Sequence, residues 1–224
     1  MERGRTSFET SGLWQDGRNV TKSLESCRAV ALSRRFHPDG SVSLQALLTG
    51  HGVQWLRLPG AAKGTLRFGG SIEPLVWGIY SLRHSPRAIY LNEVEVKDDL
   101  WALRKNPKAL LAGLSWAKLL ARHLVGGFDH DEVMKIFYWA LKSLEQGLTP
   151  QWATARFLWR WLDYWGMAPD FSSDEQSSGA PYPPRQLDQV VEFLSLGTVD
   201  EELIRGIEAG PLVTLLKGLL HEGA

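Results

Sequence analysis

Residues 41–58 read SVSLQALLTGHGVQWLRL, and their spacing decides the first half of the fold. Val42, Leu44, Ala46 and Leu48 alternate with Ser41, Ser43, Gln45 and Leu47. A two-residue period belongs to a strand that turns one set of side chains inward and leaves the other mostly polar. Gly50-His51-Gly52 then marks a turn, and Val53 to Leu58 a second strand. Working outward, Arg28 to Phe36, Ile72 to Tyr80 and Arg87 to Val96 have the same character. Pro38-Asp39-Gly40, Gly60, Gly69-Gly70 and Ser85-Pro86 separate them with turn chemistry. Five such strands in about 70 residues suit a small closed barrel, for which a five-stranded OB-fold is the common solution.

From Asn106 onward the hydrophobic period changes to that of helices. Asn106-Pro107 reads as an N-cap and first helical residue, opening a helix that runs towards Val125 before Gly126-Gly127. Asp129 or Asp131 caps the next, in which Val133, Phe137, Ala140, Leu141 and Leu144 form one stripe ending at Gly147. Thr149-Pro150 opens a third helix that stops at Gly166, and Pro184 a fourth that stops at Gly197. Thr198 to Glu201 has the spacing of a capping box, and Pro211 to Leu220 is the last helix. The expected class is α+β. Residues 1–25 form an N-terminal tail, 26–97 an OB-fold β-barrel and 98–224 an all-α helical bundle, with 172–184 as a surface loop.

The chain has 224 residues, 44% of them hydrophobic and 22% charged, an ordinary globular composition. Its lone cysteine, Cys27, excludes a disulfide framework and a Cys-rich zinc site. Apolar runs fall far short of the roughly 18 residues that a spanning helix needs. Met1 to Glu25 lacks the apolar block of a signal peptide, so the expected compartment is the cytoplasm. A formal net charge of zero hides an asymmetry. Arg28, Arg34, Arg35, Arg57, Lys63, Arg67, Arg83 and Arg87 face only Asp39 and Glu73 between positions 28 and 87, whereas the chain beyond Asp170 is acidic. A basic half of this kind suits a polyanion.

Motifs that carry catalysis are missing: there is no Gly-rich phosphate loop, serine-hydrolase elbow or His-Glu-x-x-His helix. Asp129-His130-Asp131-Glu132 reads as a helix start, whose carboxylates complement the free N–H groups, and no metal or other cofactor is expected. The expectation is a binding protein, not an enzyme. OB-folds hold single strands with cations and with aromatic platforms that stack on bases. Arg34, Arg35, Arg57, Lys63 and Arg67 supply the charge, and Phe36 and Phe68, beside basic residues or turn glycines, the stacking. Trp55 and Trp77 sit within apolar strands and are expected in the core. In the third helix Phe157, Trp161, Tyr164 and Trp165 share the core arc, with Trp152, Arg156 and Trp159 on the other side. Buried against another helix, those three are packing. Left open, they make a groove for an acidic peptide with an apolar end.

The order of segments resembles the RecO family of DNA-repair proteins. Arg28-Ala29-Val30 is similar to that family's first strand, and Leu47-Leu48-Thr49-Gly50-His51-Gly52 to its second strand and turn. Gly60-Ala61-Ala62-Lys63 resembles its Lys-Gly-Ala-Arg loop, and Ile72-Glu73-Pro74-Leu75 its proline turn. Ala155 to Asp170, read as ARFLWRWLDYWGMAPD, resembles its Arg-Phe…Gly-x-x-Pro segment. The resemblance implies a non-enzymatic recombination mediator with an OB-fold and a helical domain, located in the cytoplasm with the nucleoid. Such a protein binds single- and double-stranded DNA, anneals strands and pairs with RecR. It also contacts the acidic tail of single-stranded-DNA-binding protein and helps load RecA. Phe171 to Pro184 lacks the four cysteines of the zinc module found in many members, so no zinc is expected. Pro59-Gly60-Ala61-Ala62 also loses the loop's charges, which implies fewer phosphate contacts. Two other readings remain: an OB-fold adaptor that has lost nucleic-acid binding, or a single-stranded RNA-binding protein. Convergence of the five cations on one groove favours the mediator; dispersal favours the adaptor.

Overall fold

Strand β2 (Val42–Leu48) carries the alternation into the structure: Val42, Leu44, Ala46 and Leu48 are all buried. The computed structural model describes residues 24–62, 68–169, 171, 180–196 and 198–222. Around β2 stand β1 (Leu24–Phe36), β3 (Gly52–Leu58), β4 (Trp77–Ser85) and β5 (Ala88–Asp98). They close a barrel in the order β1-β2-β3-β5-β4, with β3 and β5 parallel and the other pairs antiparallel. This is the five-stranded OB-fold barrel. Its interior holds Ala29, Ala31, Leu44, Ala46, Leu56, Leu58, Tyr80, Leu82 and Leu91.

Among the described residues six α-helices follow: α1 (Trp101–Arg104), α2 (Pro107–His123), α3 (Asp131–Glu145), α4 (Pro150–Tyr164), α5 (Pro184–Ser195) and α6 (Gly210–Glu222). Their core, with Trp116, Phe137, Phe157 and Trp161, extends onto the outer surface of the barrel through Val30, Leu32, Leu47 and Val53. Leu47, the apolar exception in the otherwise polar set of β2, is therefore fully buried under α2. Gln45 on the same outer face donates Nε2–H to the Ala121 carbonyl at 3.0 Å, near the end of α2. Among the described residues no helix is long and apolar enough to cross a membrane.

Several boundaries differ from expectation. β1 starts at Leu24, so Leu24 and Glu25 belong to the barrel and not to the tail. The fourth strand starts at Trp77, after a 3-10 turn at Gly69–Ile72 and a connection in which Leu75 adopts φ 72°. Pro74 has no N–H to give a ladder, and only the residues after it bond β1, through Leu75 N–H to Ala31 O and Ala31 N–H to Val76 O. Asn106 caps α2 as expected, its side chain accepting from Lys108 and Ala109 N–H. Neither Asp129 nor Asp131 caps α3. Asp129 Oδ1 accepts the Asp131 N–H, and Asp131 Oδ1 reaches back to Gly50 N–H at 3.0 Å. Asp200, not Thr198, caps the turn at Glu201–Ile204. In α4, Phe157 and Trp161 are buried as expected, whereas Tyr164 and Trp165 at its C-terminal end are exposed.

Candidate nucleic-acid interface

The two-residue period that sends Leu56 and Leu58 into the barrel sends Trp55 and Arg57 out of it. Register then extends the outward row across the sheet. Arg35 of β1 and Arg57 of β3 both pair with Ser43 of β2, Arg57 pairs with Tyr90 of β5, and Tyr90 with Arg83 of β4. Trp55 stands one step along, opposite Gln45. The β4–β5 hairpin brings Arg87 to the same place. Arg35, His37, Ser43, Trp55, Arg57 and Arg87 line a cleft of ≈ 340 Å³. A second cleft of ≈ 540 Å³, bounded by Pro38, Asp39 and Tyr90, shares His37, Ser43 and Arg57, so the two form one trough.

Its chemistry is cationic with flat aromatic surface. Arg35, Arg57 and Arg87 are exposed and make no ion pair among the described residues. Trp55 is 49% exposed and offers an indole to the trough. The Arg83 guanidinium carbon lies 4.7 Å from the centre of the half-buried Tyr90 ring. His37 Nε2 lies 2.8 Å from Ser43 Oγ, which fixes the imidazole at the trough floor. Asp39 is occupied locally, its Oδ1 accepting from Ser41 N–H and Oγ–H.

Of the residues singled out from sequence, Arg35 and Arg57 come together here. Arg34 and Phe36 alternate with Arg35, pairing with the inward residues Leu44 and Val42. Arg34 bonds Glu73 at 2.7 Å and covers the Phe36 ring at 4.9 Å, so neither belongs to the trough. Phe68 is not a stacking platform: it is 8% exposed and completes the barrel core beside Ile72. Lys63 and Arg67 lie outside the described residues. Trp55, expected in the core, is a surface residue, and Trp77 is half-buried against Phe137 and Tyr138. Arg83, Arg87, Tyr90 and His37 were missed. Parity along β3 would have found Trp55, but the hairpin residues reach the trough through the β3–β5 pairing, which no local pattern announces.

Trp152, Arg156 and Trp159 do not form a groove. Trp152 is 6% exposed and packs edge-on to Phe193 of α5, while Trp159 stacks on Phe171. Arg156, 8% exposed, donates to the Leu196 and Thr198 carbonyls, and Arg160 to those of Leu194 and Leu196. The two guanidinium groups thus satisfy carbonyls at and beyond the end of α5. Burial and the neighbouring Arg160 charge lower the Arg156 pKa to about 10. Both arginines also line a cavity of ≈ 460 Å³ with Trp139, Ile136 and Val199, and Trp139 is 63% exposed.

No protein-family model matches the chain, and no curated protein does.

Proposed function

We propose that the chain is a non-enzymatic, RecO-like recombination mediator that holds single-stranded DNA in the trough across β2 and β3. The observation that carries this reading is the convergence of Arg35, Arg57 and Arg87 with the exposed Trp55 on one barrel face. That face lies between the β1–β2 and β4–β5 loops, where OB-folds take oligonucleotides. Phosphates neutralise the unpaired guanidinium groups and release counterions, while bases stack on the indole. Double-strand binding, annealing, pairing with RecR, help in loading RecA and a place with the nucleoid in the cytoplasm enter through the resemblance described above.

The acidic tail of single-stranded-DNA-binding protein is assigned to the cavity of Trp139, Arg156 and Arg160. Two adjacent, partly desolvated guanidinium groups favour an anion, and an exposed indole buries an apolar end residue. Trp139→Ala is the clean probe, because Trp139 is the exposed wall. It should weaken an acidic-apolar peptide and leave the melting temperature unchanged. The adaptor reading draws on Arg34, which Glu73 neutralises away from the trough. Titrations of labelled single-stranded DNA and RNA at several salt concentrations decide among the three. Tight, salt-dependent binding of DNA supports the mediator, preference for RNA supports the RNA-binding reading, and binding of neither supports the adaptor.

A further inference from the structure

Among the described residues, β3 and β5 close the barrel through two pairs, Leu56 with Ile89 and Arg57 with Tyr90. Elsewhere on the barrel, His51 of the β2–β3 turn and His84 near the end of β4 come together beside the start of β1, where Leu24 pairs with Arg83. Their ring centroids are 6.4 Å apart. A carboxylate from a third element joins them: Glu25 Oε1 lies 2.6 Å from His51 Nε2, and Glu25 Oε2 lies 2.7 Å from His84 Nε2. The β1–β4 ladder, which pairs Leu24 with Arg83 and Glu25 with Leu82, sets this carboxylate beside His84, and the β2–β3 turn brings His51 to the same carboxylate. His84 leads directly into the hairpin at Ser85, whose Arg87 and Ala88 form the trough wall beside Trp55.

We infer that Glu25, His51 and His84 form a proton-dependent clamp that holds the β4–β5 hairpin, and with it Arg87, against the start of β3. Its bearing on function rests on the trough being the strand-binding face.

The clamp responds to protons because a neutral imidazole donates from one nitrogen, whereas the imidazolium donates from both with a charge-assisted bond. Histidine changes charge in the physiological range. The His51 hydrogen bond is the main reason that Glu25 titrates below the ordinary carboxylate value of 4.5, with burial opposing it and His84 assisting. A lowered folded value means that the Glu25 contribution is fully present above 4.5 and is lost as pH falls through the lowered value. An imidazolium, donating from both nitrogens, strengthens the same contacts. Among the described residues, the other neighbours do not compete. Burial pushes the Cys27 thiol up to about 11, and Arg83, opposite Leu24, lies over Tyr90. All three clamp residues are partly exposed, so the effect is local and not a large share of global stability.

The test is amide hydrogen exchange on the full chain without nucleic acid, corrected for intrinsic rates, at pH 6.0 and 8.5. Glu25→Gln should lower protection at residues 51–54 and 85–90 by about two- to fivefold at pH 6.0, with a smaller gap at pH 8.5 and no change in α4. The His51→Gln/His84→Gln double variant keeps two donors but has no imidazole, so it should remove the pH dependence of hairpin protection. Equal protection in parent and variants, a gap independent of pH, or loss spread evenly into α4 overturns the clamp. A parallel single-strand titration separates the two ideas. The stated protection pattern without any strand binding sinks the function proposed for the trough and leaves the clamp standing.

Discussion

Arg35 and Arg57 face the same residue, Ser43, from the two strands that flank β2. Directly opposed side chains on adjacent strands are about 5 Å apart at Cβ, so two cations flank one small hydroxyl with no bulky group between them. Neither has a carboxylate partner among the described residues. Like charges held close on a rigid sheet are left for an external anion to neutralise.

Replacing both Arg35 and Arg57 with Ala should flatten the dependence of single-strand affinity on log salt. Each lost phosphate contact contributes about 0.7 to that slope, so two contacts account for about 1.4. Arg34→Ala is the control, because Glu73 already holds Arg34 on the other side of β1. A slope that changes with Arg34 but not with the pair would move the interface off the trough.

Trp55→Ala and Phe68→Ala should give opposite patterns. Loss of the exposed indole should weaken single-strand binding by about 1–3 kcal/mol, the scale of one stacked base, and shift stability by less than about 0.5 kcal/mol. Loss of Phe68 from the barrel core should cost about 3–5 kcal/mol in unfolding and leave binding by the folded fraction alone. Melting curves and titrations on both variants check it.

The same pair shows how much of the molecule could be read from sequence. Strand and helix periods are local, so the barrel, its turns and the helices were legible, as was the Asn106 cap. Exposure is not local. Phe68 lies beside two glycines, yet it is drawn in to fill the barrel, while Trp55 lies among leucines and faces out by parity. For Arg156 the sequence leaves packing and an open groove side by side, because its acceptors, carbonyls some forty residues away, leave no trace in side-chain spacing.

Arg156→Ala should lower stability, since it leaves the Thr198 carbonyl without its charged donor and the Leu196 carbonyl with Arg160 alone. A bond to a charged group contributes about 1.5–3 kcal/mol, and urea unfolding should register a loss in that range. Arg156→Lys should restore part of the loss, because a single nitrogen, Nη2, donates to both carbonyls and an ammonium on a shorter, more flexible stem can reproduce only some of that geometry. An unchanged midpoint in the alanine variant would show that these bonds do not hold the end of α5.

Gly50 and Gly52 offer a paired test of how tightly the barrel meets the helical region. Both have positive φ, 72° and 66°, so Ala at either position strains the backbone by about 1–2 kcal/mol. Their surroundings differ. A Cβ on Gly50 would meet nothing within 4 Å, whereas one on Gly52 would stand 2.6 Å from Val125 O and 2.7 Å from Phe128 O. Those carbonyls belong to the loop between α2 and α3, which is tied to the turn by the Gly127 N–H to His51 O bond at 2.8 Å and by the Gly52–Gly126 bridge. Backbone oxygens cannot rotate aside as a side chain can, so the loop must move. Gly52→Ala should therefore cost about 1–3 kcal/mol more than Gly50→Ala, the scale of overpacking. The extra loss should come with reduced amide protection in residues 125–128. Equal losses in denaturant unfolding would mean that the loop yields freely and that the contact between turn and loop is not close-packed.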